Sequence, residues 1–97
     1  VDDQDPILNW FAKLCQQQGW YNHEVFIEHP LATGDGHLYF ADIVMRDDKE
    51  NWIVVELKTG EPRVEHKEQV ERYCACLGKQ TCGVLVYLDR QELIQVL

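Results

Sequence analysis

The chain predicts an α/β domain with the element order α-β-β-β-α-β. Three patterns predict it: apolar residues at helical spacing before Gly19, three short extended runs between Glu24 and Lys58, and a return to helical spacing from Val64 that leads into an apolar run at Gly83. At 97 residues there is room for one modest core, so the expectation is a single domain over 1–97. The chain starts at Val1 rather than Met and ends on the apolar run Leu93 to Leu97, which reads as a piece of a longer protein.

The opening helix follows from Ile7, Leu8, Phe11, Ala12, Leu14 and Cys15 after the acidic entry Asp2-Asp3-Gln4-Asp5-Pro6. Asp5 suits the N-cap, Pro6 the first helical position and Gly19 the end. From Glu24 the period changes. Extended runs cover Glu24 to Leu31, His37 to Arg46 and Asn51 to Lys58, with Thr33-Gly34-Asp35-Gly36 and a polar turn between them. Three strands joined by tight turns make an antiparallel meander. Thr59-Gly60-Glu61-Pro62 breaks the pattern. Val64 to Gly78 is the second helix, with Val70, Cys74 and Leu77 facing inward; Gly83 to Leu88 has the look of a central strand, and Glu92 to Leu97 is a candidate for one more.

Two acids interrupt the apolar runs of the meander. Asp42 lies within Phe40-Ala41-Asp42-Ile43-Val44-Met45, and Glu56-Leu57-Lys58 closes Trp52-Ile53-Val54-Val55. A bare charge in such a strand is costly unless compensated. If the turn is Asp48-Lys49-Glu50, Met45 pairs with Ile53 and Asp42 stands directly across from Glu56, with Cβ atoms about 4.5–5.5 Å apart. Glu56 and Lys58 then share one face, while Ile53, Val55 and Leu57 point to the other and seal against a helix. Two opposed carboxylates repel, so one of them should have a raised pKa without a cation. Mg²⁺ or Mn²⁺ resolves the conflict, because such ions take oxygen ligands and fill their remaining positions with water and phosphate oxygens. Lys58, two residues from a ligand, is placed to orient a water and offset charge growing on a phosphorane.

Asp42 followed by Glu56-Leu57-Lys58 on the next strand, with a helix and a strand after them, resembles the PD-(D/E)xK nuclease superfamily. Gln69-Val70-Glu71-Arg72-Tyr73 is similar to the Gln-x-x-x-Tyr motif that its RecB-like branch carries on the helix after the catalytic lysine. The match spans about Glu24 to Leu88. The resemblance implies a restriction-endonuclease-like core, a mixed sheet flanked by helices, and a DNA nuclease, an exonuclease above all. Asp42, Glu56 and Lys58 would be catalytic. Asp42, Glu56 and the backbone carbonyl of Leu57 would hold the metal. Gln69 and Tyr73, joined on their helix face by His66, would support DNA binding, with Arg63, Lys67 and Arg72 as candidate phosphate contacts. Members of the branch often belong to helicases or to recombination and repair proteins, so such a domain or subunit is an expected partner. The chain also departs from its relatives. Tyr39 stands where they commonly carry Gly, three residues before the metal aspartate, and no acid occurs between Ile7 and Gly19 on the opening helix. Glu24, Glu28 or Asp35 are candidates to replace that acid, with Glu24 favoured.

Composition sets limits. The formal charge of −8 argues against a general nucleic-acid coat protein, since Lys and Arg drive phosphate binding. Yet Lys58, Arg63, Lys67, Arg72, Lys79 and Arg90, six of the nine basic residues, lie beyond Val55, which leaves a local basic path. No apolar stretch approaches the roughly 20 residues of a membrane span and no signal peptide opens the chain. A soluble, cytoplasmic protein is expected, with Cys15, Cys74, Cys76 and Cys82 as reduced thiols. No iron–sulfur cluster is expected, because Cys74 and Cys76 are roughly 200° apart around a helix axis. His23, His29, His37 and His66 lack metal-ligand spacing, and Trp10, Trp20 and Trp52 read as core or rim. Two other functions fit the same residues: a silent nuclease-fold module for DNA-end binding or assembly, and a structure-specific dimeric endonuclease.

Overall fold

The computed structural model describes residues 5–78 and 80–97. The acidic entry before Asp5 and the basic Lys79 lie outside them. Helix α1 spans Pro6–Gln18. Asp5 caps it, its carboxylate accepting from the N–H groups of Ile7 and Leu8 at 2.9 and 3.3 Å, and Gly19 ends it in the left-handed conformation at φ 73°. A 3₁₀ turn over Trp20–Asn22 leads into the sheet.

Strands β1 (Glu24–Ala32), β2 (Leu38–Arg46) and β3 (Trp52–Lys58) form the expected meander, helix α2 covers Val64–Leu77, and β4 (Thr81–Tyr87) and β5 (Glu92–Gln95) complete a five-stranded sheet in the order β1-β2-β3-β4-β5. β4 runs parallel to β3, and β5 returns antiparallel, so the sheet is mixed. The central strand is therefore β3, and β4 lies one place nearer the edge than its apolar run from Gly83 suggests. Burial on both faces, by α1 and α2, explains that sequence better than centrality does.

The β2–β3 turn is the three residues Asp48-Lys49-Glu50. Asp47 and Asn51 close it through an N–H to carbonyl bond of 3.1 Å, and Glu50 takes the left-handed conformation at φ 63°. The register that follows pairs Met45 with Ile53 and Ile43 with Val55.

Two cores form, one on each face. Toward α2 lie Leu31, Ala41, Val44, Val54, Val70, Tyr73, Cys74, Leu85 and Tyr87. Toward α1 lie Leu14, Trp20, Ile43, Met45, Val55, Val84 and Val86. Gly83 lets α2 approach the sheet: a Cβ there would collide with Val70 and lie 2.7 Å from the Cys74 Sγ. On the α1 side an apolar groove of about 470 Å³, bordered by Phe11, Tyr21, Ile27 and Met45, remains open.

Candidate active site

Strand alternation slips by one residue at Asp42. Tyr39 and Ala41 belong to the α2-side core, then Val44 does, while Ile43 and Met45 face α1. β1 slips with it. Phe26 and Leu31 both pack toward α2, and Glu28 between them adopts φ 49°. The register holds on either side, Ile27 with Ile43 and His29 with Ala41, and skips the Glu28–Asp42 pair. This paired irregularity re-aims a side chain, as bulges beside sites do. The Asp42 carboxylate turns into the seam between β2 and β3.

There the backbone ladder stops at Ile43 and Val55, and side chains replace it. Glu56 Oε1 accepts the Asp42 N–H at 2.8 Å, and Asp42 Oδ2 accepts the Leu57 N–H at 2.9 Å. Each acid thus clasps the other's strand. The second oxygen of each carboxylate makes no such backbone bond.

Glu56 is 2% exposed, and among the described residues it is the one buried charged side chain. Burial is the main cause that pushes its carboxyl up to about 7, with the nearby Asp42 charge adding to the rise; the Asp42 N–H and Lys58 oppose it. The conflict expected from two opposed acids is therefore present. Lys58 is half-buried and shares the α2-facing side with Glu56.

Helix α2 roofs this end of the sheet. His66, Gln69 and Tyr73 lie on its inner side: the His66 Nδ1 is 2.9 Å from the Tyr87 hydroxyl, and the Gln69 Nε2 donates to the Tyr73 hydroxyl at 3.0 Å. Burial raises the Tyr73 phenol, the Gln69 bond opposes that rise, and the Glu56 and Asp42 charges add to it, which puts both acids within electrostatic reach of the helix. The Gln69 Oε1 is buried without a hydrogen-bond partner. Arg63 and Lys67 are exposed at the start of α2. Arg72 instead lies over the Tyr39 ring at 5.5 Å, and the Tyr39 ring meets that of Tyr73 at 5.7 Å, tilted by 46°. Tyr39 is thus a packing partner of Tyr73 on α2, and its ring holds the Arg72 guanidinium.

The structure does not bring Glu24 to this site. Glu24 pairs with Arg46 at 2.6 Å at the far end of β2, where the two are register partners, four residues from Asp42. Asp35 is also remote, on the β1–β2 turn with Thr33 and His37. Glu28 is the acid nearest in register, on β1 beside Asp42. Among the described residues no group of three His, Cys, Asp or Glu side chains converges. The donor set is two carboxylates. Sequence reasoning missed Tyr87, the last residue of β4, which the parallel β3–β4 pairing sets beside Lys58.

No family model and no curated protein matches the chain. Among solved structures, a repair endonuclease from Pyrococcus abyssi superposes with a TM-score of 0.56 at 22% identity, over 90% of this chain and 40% of that one. The structure titled SSO0001 superposes with a TM-score of 0.52 at 23% identity, over 92% and 48%. The chain spans less than half the length of either. The likeness is one of fold, and the fold is the restriction-endonuclease-like α/β sheet. No helix among the described residues is long and apolar enough to cross a membrane.

Proposed function

We propose that this chain is a metal-dependent DNA nuclease domain of the RecB-like kind, an exonuclease, working in a longer helicase-associated or recombination and repair protein. The observation that carries the reading is the reciprocal clasp of Asp42 and Glu56, with Lys58 two residues beyond, at the point where β2 and β3 part. The Gln69–Tyr73 pair on α2 and the fold shared with a repair endonuclease support it.

The donor set fits Mg²⁺ or Mn²⁺. Both acids present oxygen only, each retains an oxygen beyond its backbone bond, and two protein carboxylates leave room for water and phosphate. Asp42 and Glu56 would hold the ion, with the Leu57 carbonyl as a further oxygen. When bound, the ion would supply Lewis acidity to the phosphodiester and lower the pKa of a bound water.

The protein's own residues do the rest. Glu56 would have to be ionised to hold the ion, and its carboxyl, pushed up to about 7 by burial, gives up its proton near neutral pH. Lys58 orients the attacking water and offsets charge on the phosphorane. Gln69 and Tyr73 hold the roof of the site, and Arg63, Lys67, Arg72 and His66 meet the strand's phosphates.

The test is a labelled linear single strand incubated with Mn²⁺. Shortening from one end is the expected result, and Lys58→Ala should retain cation binding while losing turnover by a hundredfold or more, about 3 kcal/mol of transition-state stabilisation. Absence of cleavage of any DNA or RNA, even at high protein concentration, defeats the enzyme reading.

A further inference from the structure

Tyr87 is fully buried, with its hydroxyl beneath the first turn of α2. A buried phenol needs hydrogen-bond partners. Its partner is the His66 Nδ1, 2.9 Å from the oxygen. The backbone N–H of Arg63, the α2 N-cap residue, opposes the rise that burial causes in the phenol, so the oxygen faces the start of the helix.

The pairing has a consequence for His66. The buried hydroxyl proton needs an acceptor, the acceptor within hydrogen-bond distance is the His66 Nδ1, and an Nδ1 that takes this bond is unprotonated. A neutral imidazole with a bare Nδ1 carries its proton on Nε2, across the ring and away from Tyr87. Burial, with the charges of Lys58 and Arg63, keeps this histidine below the usual imidazole range; Glu65 opposes them. The ring is half-buried, so its outer edge meets solvent. Tyr87 is the register partner of Lys58, and both lie on the α2 side. The Lys58 charge acts on the His66 ring, so the histidine and the proposed catalytic lysine share one side of the sheet.

We propose that Tyr87 is a positioning residue: its hydroxyl fixes His66 in the Nε2–H tautomer and aims that N–H beside Lys58, where it donates to a non-bridging oxygen of a nucleic-acid phosphate. The phosphate half rests on the nuclease reading. The tautomer half does not.

The test has two arms on the intact chain. In the first, ¹⁵N-histidine NMR at about pH 8, where imidazole is neutral, assigns the His66 tautomer with His66→Ala as the blank. Nε2–H in the wild type and appearance of the other tautomer in Tyr87→Phe are expected. Nδ1–H in the wild type overturns the proposal whether or not the variant folds, and so does a spectrum that Tyr87→Phe leaves unchanged. In the second arm, affinity for a short labelled single strand is measured in Ca²⁺ for wild type, Tyr87→Phe, His66→Ala and the double variant, each checked for an intact melting transition. Each single change should weaken binding by about tenfold, the worth of one hydrogen bond to a charged group, and the double variant should be no weaker than His66→Ala. Additive losses, or unchanged affinity in His66→Ala, overturn the phosphate half. A wild type that binds no strand overturns that half together with the nuclease reading, and the spectrum still decides the tautomer.

Discussion

Glu56 concentrates the physical tension of the molecule. Its carboxyl is buried, held by one N–H, and faced by a second carboxylate, so ionisation in the folded state is opposed. A folded-state pKa raised from 4.5 to about 7 means that stability is fully present below about pH 4.5 and is lost as pH rises through 7. The cost of the ionised form is about 3 kcal/mol above that range. Glu56→Gln removes the titration and keeps the shape. Without divalent cation, its stability advantage over wild type should therefore grow between about pH 5 and pH 8 in urea melts; a constant difference would show that Glu56 ionises freely. This pairing was legible in the sequence, because an acid inside each of two apolar runs and a three-residue turn fix who faces whom. Glu24 was not legible. Its distance from the site follows from pairing with Arg46, which one strand's sequence does not reveal.

At the scale of elements, the strands came from turn residues and periodicity, and Asp5, Pro6 and Gly19 marked both ends of α1 in advance. The slip at Asp42 and Glu28 had no such mark. Both residues look like ordinary members of their strands, and only the left-handed backbone at Glu28 and the change of core faces expose the irregularity. The close approach of α2 was hidden as well, since Gly83 in an apolar run gives no sign of what it faces. Gly83→Val should push Val70 and Cys74 outward and cost about 2 kcal/mol or more, lowering the melting temperature by roughly 10 °C or more. A melting temperature within 1–2 °C of wild type, roughly the effect of a neutral surface change, would mean that α2 has slack over β4. Because α2 carries His66, Gln69 and Tyr73, that shift should also loosen the roof of the site.

The whole molecule is acidic, with a formal charge of −8, yet its proposed ligand is a polyanion. The two facts are reconciled by geography: Arg63 and Lys67 are exposed on α2 and Arg72 lies over Tyr39 on the same helix. Three such cations predict a shallow salt dependence of binding, a log–log slope of about −2 to −3. A slope near −6 or steeper would require phosphate contacts that this helix does not provide. Whether Asp42 and Glu56 share one divalent cation is tested most directly by thermal melts of wild type and Asp42→Ala with and without Mn²⁺. At a hundredfold excess over Kd the wild type should melt roughly 10 °C or more higher, and Asp42→Ala should not shift. Equal shifts in the two proteins would contradict a shared ion.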